Sequence, residues 1–176
     1  DRVVLGWITA EGLEADPATY ATTEGERIFG GRVTTFSEYS VVSENRVYRA
    51  PDLGDRDAVL FGCALLTGAG MALNEADLNP KHRVLINGAG GVGLAALLGA
   101  TVRGAEIAVA EPDGARREIA LSLGADFAFN PLNEAEEGAF RTKYSEGFDY
   151  AIDSSGNVQA MEFAFSTLRL GGGTLI

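Results

Sequence analysis

The glycines between residues 88 and 93 are the strongest candidate for chemistry in this chain. The segment Asn87-Gly88-Ala89-Gly90-Gly91-Val92-Gly93 has the spacing G-x-G-x-x-G, follows the apolar run 84–86, and opens a run of small residues that suits a helix. In such a strand–turn–helix unit, Gly88 permits the tight turn, Gly90 lets a pyrophosphate approach the backbone, and Gly93 lets the helix lie close to the sheet. The free N–H groups at the helix start, including those of Gly91 and Val92, then stabilise the phosphates. The alternative is a glycine-rich turn selected only for packing.

An acidic residue, Glu111, follows the strand-like run 106–110 and lies 18 residues after Gly93. A carboxylate at this position accepts hydrogen bonds from the adenosine ribose hydroxyls and repels a 2′-phosphate, which favours NAD over NADP. The alternative is an ordinary charge at a helix start. Arg116 could hydrogen-bond the same ribose or tolerate a phosphate, and with Glu111 present we favour the ribose.

Residues 80–176 alternate between strand-like and helix-like segments. Asp113 is a plausible N-cap and Gly124 a plausible residue after a helix end. This order predicts an α/β fold with a Rossmann-type, doubly wound parallel sheet of about five strands. The predicted strands are 84–86, 106–110, 126–129, 150–152 and 174–176, and the predicted helices are 91–103, 113–123, 133–145 and 158–168.

The first part of the chain has a different texture. Residues 1–60 contain short β-like runs at 2–7, 36–43 and 46–49, with an irregular polar stretch over about 11–32. A helix is predicted over 55–75, loosened by Gly68 and Gly70, and Asn79-Pro80 ends it. We therefore divide the chain into 1–60, a connecting helix over 61–79, and a dinucleotide-binding domain over 80–176.

Composition narrows the class of protein. The net charge is −11, from 14 Lys and Arg against 25 Asp and Glu. Such a field repels nucleic acids and anionic membranes, so neither is an expected partner. The only cysteine, Cys63, excludes an internal disulfide and suits a reducing cytoplasm. No apolar stretch is long enough to span a membrane, and the strand-like first and last residues suggest a piece of a longer enzyme.

Several motifs together resemble a known family. They are the segment Gly62-Cys63-Ala64-Leu65-Leu66-Thr67-Gly68-Ala69-Gly70, the glycine motif that begins 17 residues later, and the segments 36–42, 123–126 and 148–156. On these residues the chain resembles the medium-chain dehydrogenase/reductase superfamily and, within it, the zinc-dependent alcohol dehydrogenases.

The resemblance implies roles for particular residues. Residues 1–60 would be the closing strands of a GroES-like catalytic domain, as a β-rich remnant, and residues 80–176 a cofactor domain that lacks its sixth strand. Cys63 would be a catalytic zinc ligand and Thr67 would lie beside the nicotinamide ring. Ser154 and Ser155 would form the turn beneath the nicotinamide half of the cofactor.

The chain also departs from the family pattern. The other catalytic zinc ligands are absent from it, so Cys63 could hold zinc only in the intact parent, and residues 11–31 contain no cysteine for a structural zinc lobe. Without the resemblance, Cys63 would be interpreted as a small buried hydrophobe, the commonest role of a free cysteine. The Thr67 hydroxyl could instead bond the backbone of its own helix. We expect His82 to be a surface residue and Asp153 a strand-end turn residue.

The expected function is that of part of an NAD-dependent, zinc-type alcohol dehydrogenase, which transfers hydride between an alcohol and nicotinamide. The partners would be a small alcohol or carbonyl substrate and, in the parent, further copies of the chain. Two alternatives stay open: a zinc-free, NADP-dependent quinone or enoyl reductase of the same superfamily, and a binding module without catalysis. The isolated chain is expected to be inactive, and an open sheet edge at 174–176 predicts self-association.

Overall fold

The computed structural model describes residues 1–176, and the chain divides into two units, Asp1–Cys63 and Ala64–Ile176. No single helix is long and apolar enough to cross a membrane. The two consecutive helical segments over 55–75 would pass such a test together, by length and composition only.

The first unit has short elements and a small core. Strand β1 (Val3–Leu5) pairs antiparallel with β4 (Val47–Arg49), and β2 (Tyr20–Ala21) pairs with β3 (Arg27–Ile28). A 3₁₀ turn precedes β4, and helix α1 (Asp55–Ala58) runs into a second 3₁₀ turn at Val59–Gly62. The buried apolar side chains here are two alanines, Ala50 and Ala58. This unit therefore gains little free energy from hydrophobic burial.

The strand predicted over 36–43 is wrong. These residues pair with no other strand, and Phe36 and Tyr39 are fully or almost fully exposed. Instead, the Ser37 hydroxyl donates to the Tyr39 carbonyl and the Ser40 hydroxyl donates to the Thr34 carbonyl. Such local bonds offer the backbone an alternative to a strand.

The helix predicted over 55–75 is interrupted. Cys63 has φ −152° and ψ −69°, which lies outside the helical region. Helix α2 (Ala64–Gly70) begins directly after it and continues into a π-helical turn, Met71–Glu75.

The second unit forms the predicted Rossmann-type sheet. Its strands are β5 (Arg83–Asn87), β6 (Glu106–Ala110), β7 (Phe127–Phe129), β8 (Tyr150–Asp153) and β9 (Thr174–Leu175), all parallel in the order β7-β6-β5-β8-β9. Its further helices are α3 (Gly91–Arg103), α4 (Gly114–Ser122), α5 (Glu134–Lys143) and α6 (Val158–Ser166). Strand β9 lies at an edge of the sheet, so the predicted open edge is present, while self-association stays a prediction.

Both faces of the sheet are buried, which explains the continuous apolar strands. On β5, Val84 and Ile86 face one core cluster together with α3, whereas Leu85 faces the other. In this second cluster, the rings of Phe129 and Phe140 stack with centroids 4.2 Å apart. Burying one such side chain contributes about 1.5–3 kcal/mol.

The helix ends follow the expected capping chemistry. The Asp113 carboxylate accepts the Arg116 N–H at 3.1 Å, which confirms the predicted N-cap. Gly124 follows the end of α4 with φ +109°, a conformation that favours glycine.

Gly68 has a different role from the one predicted. A Cβ placed on Gly68 would lie 2.1 Å from the Val92 carbonyl oxygen and 2.6 Å from the Ala95 Cβ. Gly68 therefore permits close packing of α2 on α3 rather than loosening the helix. On α3, Gly99 meets Ala69 in the same way, with a Cβ 3.1 Å from its backbone.

Candidate functional site

Gly88 and Gly90 lie in the turn between β5 and α3, whereas Gly93 lies in the first turn of α3. Each of these three glycines meets a different requirement. Gly88 has φ +94°, in the region that favours glycine. Gly90 precedes the first residue of α3, and a Cβ placed on it would meet nothing within 4 Å. A Cβ on Gly93 would lie 1.8 Å from the Gly88 carbonyl oxygen, so the close contact at Gly93 is with the turn, and not with the sheet as predicted.

A cavity of about 460 Å³ lies at the carboxyl ends of β5, β6 and β8. It is enclosed mainly by the glycine turn, by the residues that follow β6, and by the turn that follows β8. Its lining includes six residues singled out in the sequence: Gly88, Gly90, Glu111, Arg116, Ser154 and Ser155. Gly91 and Val92 form the first turn of α3 beside it, whereas Thr67 is exposed on α2 and is not part of the lining.

The Glu111 side chain connects two turns at this cavity. Glu111 is buried, with only 5% of the residue exposed. One carboxylate oxygen accepts the Ala89 N–H at 2.7 Å and the other accepts the Asp113 N–H at 2.9 Å. The carboxylate is thus held by neutral backbone donors, which leaves its charge at the cavity rather than on a solvated helix start.

The two arginines of α4 differ. Arg117 donates from its guanidinium to the Glu111 carbonyl at 2.8 Å and to the Pro112 carbonyl at 2.7 Å. Arg116 is exposed and is one of the residues that line the cavity.

The turn after β8 is held by hydrogen bonds to the glycine turn. The Ser154 N–H donates to the Asn87 carbonyl at 2.9 Å, and the Ser154 hydroxyl donates to the Gly88 carbonyl at 3.1 Å. The Ser155 hydroxyl donates to the Asp153 carboxylate at 2.8 Å. Asp153 is therefore the strand-end turn residue that was expected.

Asn87 was missed as a functional candidate by reasoning from the sequence. It is only 2% exposed, and its side-chain amide donates to the Asp153 carboxylate at 2.7 Å and to the Ala160 carbonyl at 2.8 Å. The available signal was an amide at the end of an otherwise apolar, buried strand, directly before the first glycine of the motif.

Cys63 is exposed, so its interpretation as a small buried hydrophobe is wrong. The structure brings together no group of three His, Cys, Asp or Glu side chains that could hold a metal ion. The residues of this chain therefore do not fit a zinc ion, which needs at least three protein ligands.

His82 is half-buried and not the surface residue that was expected. It lies directly before β5, at the opposite end of that strand from the glycine turn. Its ring nitrogens lie 3.1 and 3.2 Å from the Asn79 amide nitrogen, and its ring contacts the edge of Tyr150.

The strand order places the cavity where ligands bind in doubly wound sheets. From β5 the chain moves outward to β6 and β7, and then returns to the other side of β5 for β8 and β9. Ligands bind outside the carboxyl ends of the strands at this point of reversal. Fold and cavity together define a Rossmann domain with the layout of a dinucleotide-binding site.

Comparison of the sequence with known proteins supports this class of domain. The family model described as "Zinc-binding dehydrogenase" matches residues 91–176. A probable alcohol dehydrogenase from a Pseudomonas species is 33% identical over 160 residues, which cover 85% of this chain and 50% of that protein. The chain is an alcohol dehydrogenase-like member of the medium-chain dehydrogenase/reductase superfamily.

Two solved structures have the same fold. The zinc-dependent alcohol dehydrogenase 2 from Streptococcus pneumonia superimposes with a TM-score of 0.71 at 30% identity, over 87% of this chain and 44% of that protein. A quinone oxidoreductase from Thermus thermophilus, solved alone and with NADPH, has a TM-score of 0.62 at 28% identity, over 76% and 43% of the two chains. The chain thus spans about half the length of the proteins it matches.

Proposed function

We propose that this chain binds NAD(H) and that the enzyme to which it belongs transfers hydride between an alcohol and the nicotinamide. The observation that carries the proposal is the open space over Gly90, at the start of α3 and beside the cavity. A pyrophosphate needs such a surface without side chains, with unpaired N–H groups directed at it.

The glycine turn would hold the pyrophosphate. The first N–H groups of α3, from Gly91 and Val92, have no acceptor within their own helix. Phosphate oxygens would accept them, and the positive end of the helix dipole would stabilise the charge. Gly88 and Gly93 serve this site indirectly, because they let the turn close tightly enough to expose those donors.

Glu111 would select NAD over NADP. Each of its carboxylate oxygens accepts one backbone hydrogen bond and keeps a further lone pair for a ribose hydroxyl. A 2′-phosphate would instead bring a second negative charge against a carboxylate that has little exposure to screening water. Arg116, on the same cavity wall, would donate to the ribose.

The nicotinamide half would lie along the turn after β8, with Ser154 and Ser155 beneath it and Thr67 beside the ring. When bound, the cofactor supplies the hydride acceptor, and the protein supplies position and electrostatics. The role of Cys63 as a zinc ligand is proposed only for the parent enzyme, where the other ligands would come from sequence outside residues 1–176. The open Cys63 thiol fits a reducing compartment such as the cytoplasm.

The second candidate is a zinc-free, NADP-dependent reductase. It is favoured by the structural similarity to the quinone oxidoreductase solved with NADPH. The Glu111 carboxylate at the cavity argues against it.

The experiment that separates the two is titration of the chain with NADH and with NADPH, followed by nicotinamide fluorescence. We expect NADH to bind at least about tenfold more tightly, because one unfavourable charge contact of about 1.4 kcal/mol corresponds to that ratio. The Glu111→Gln variant should bind NADH more weakly than wild type, and its ratio of NADH affinity to NADPH affinity should be smaller.

The control for this experiment is Glu118→Gln, which removes the same charge from an exposed position on α4, outside the cavity lining. It should leave both affinities within about twofold, since exposed charges are screened. Equal binding of the two nucleotides, or tighter binding of NADPH, would exclude the proposed role of Glu111.

A further inference from the structure

We infer that Asn87 and Asp153 are positioning residues for the nicotinamide half of the dinucleotide. They hold the serine turn, defined as residues 154–157, against the glycine turn. The inference rests on the proposed function. It adds that one side of the cavity binds the adenine half of the dinucleotide and that the other side binds the nicotinamide half.

Asn87 uses its side chain to join three elements. It lies at the carboxyl end of β5, in register with Asp153 on β8. Both amide hydrogens are engaged, one with the Asp153 carboxylate at 2.7 Å and one with the Ala160 carbonyl in the first turn of α6 at 2.8 Å. An amide buried at this depth is tolerated only when it is so bonded.

Asp153 connects Asn87 to the serine turn. The carboxylate oxygen that accepts from Asn87 also accepts the Ser155 hydroxyl at 2.8 Å. That hydroxyl in turn accepts the Asn157 N–H at 3.2 Å, and Asn157 caps α6 by accepting the Ala160 N–H at 3.0 Å. A continuous chain of hydrogen bonds therefore runs from Asn87 through the turn and back to α6.

The serine turn also lies directly against the glycine turn. A Cβ on Gly88 would lie 3.2 Å from both the N and the Cα of Ser155. The Ser154 hydroxyl donates to the Gly88 carbonyl at 3.1 Å. Any shift of the serine turn therefore changes the width of the gap between the two turns, where the bound dinucleotide would lie.

The two sides of the cavity have separate supports. On the β6 side, Glu111 is held by the N–H groups of Ala89 and Asp113, without any bond to Asn87 or Asp153. On the β8 side, the serine turn depends on Asp153. Loss of the Asp153 carboxylate should therefore weaken binding of the nicotinamide half and leave the adenine half in place.

Calorimetric titration with NADH and with ADP tests this division. ADP carries the adenine half and two phosphates but no nicotinamide. Asp153→Ala should weaken NADH binding about tenfold, as expected for loss of one or two charge-assisted hydrogen bonds, and leave ADP binding within about twofold. Asp153→Asn keeps an oxygen acceptor for Asn87 and Ser155 and should restore NADH binding.

The matched control is Asp149→Ala, at the opposite end of the same strand. Asp149 is a buried carboxylate that accepts the Arg83 N–H and pairs with Arg169, both at 2.8 Å. Its loss should lower stability without changing the ratio of NADH to ADP affinity, which separates positioning from general destabilisation.

The possible outcomes are distinct. Equal weakening of ADP and NADH by Asp153→Ala, or no weakening of NADH, overturns the inference and leaves the proposed function standing. Failure of the wild-type chain to bind either nucleotide overturns both. If Asp153→Ala does not fold, Ser155→Ala replaces it, with a smaller loss of NADH affinity expected in the same direction and unchanged NADH affinity contradicting the inference.

Discussion

The amino ends and the carboxyl ends of the parallel strands, called here the amino edge and the carboxyl edge of the sheet, use polar residues in opposite ways. At the amino edge, charges neutralise one another: the Arg83 guanidinium lies 3.1 Å from a Glu106 oxygen and 3.0 Å from a Glu146 oxygen, and Arg169 pairs with Asp149 at 2.8 Å. These ion pairs engage the side chains of Arg83 on β5 and of Glu106 on β6 at that edge.

At the carboxyl edge, the Glu111 carboxylate has no ion-pair partner. Glu111 is held by backbone N–H groups rather than by a cation, and Gly90 leaves open space before the first turn of α3. The two edges therefore differ in what their polar groups do. Ion pairs stabilise the amino edge, whereas the carboxyl edge keeps a carboxylate, free helix N–H donors and a cavity for a ligand.

The largest expected effect is that of Gly93→Val at the carboxyl edge. A Cβ at this position would lie 1.8 Å from the Gly88 carbonyl oxygen, so the turn and the start of α3 must both move. We expect unfolding in urea to show a loss of about 3 kcal/mol or more, together with loss of NADH binding.

Gly138→Ala is the control for Gly93→Val. Gly138 lies within α5, and a Cβ there would meet nothing within 4 Å. This change should raise stability by up to about 1 kcal/mol, because alanine is the better helix former. A Gly93→Val variant as stable as wild type would show that the turn has no such tight contact.

The smallest expected effect is that of Arg83→Ala at the amino edge. It removes two partly exposed ion pairs, and such pairs contribute about 0–1 kcal/mol each after solvent screening. Urea unfolding should show a modest loss of stability, while NADH affinity stays within about twofold. A large change in NADH affinity would mean that the two edges are not independent.

The second unit could be predicted from its sequence to within one or two residues at most element ends. Its strands are continuous apolar runs because both sheet faces are covered, and its helices begin at residues with strong capping chemistry, such as Asp113 and Asn133. In the first unit, the β-like run 36–43 has no partner strand, and pairing between strands is a non-local property that a short pattern does not encode.

Within the candidate site, a glycine could be predicted where the backbone geometry requires one, as Gly88 with its positive φ illustrates. The role of Asn87 could not, because its bonds to Asp153 and Ala160 join positions 66 and 73 residues away in the chain. The same holds for Gly68, whose close contact is with a different helix.

The most direct test of the central claim is Gly90→Val, which places a side chain in the space assigned to the pyrophosphate. Gly90 has φ −76°, which valine tolerates, and its Cβ meets no atom within 4 Å, so stability should fall by no more than about 1 kcal/mol. We predict that the folded variant binds NADH at least about fiftyfold more weakly than wild type, a difference of about 2.3 kcal/mol. NADH binding equal to that of wild type by the folded Gly90→Val chain would contradict the assignment of the glycine turn as a dinucleotide site.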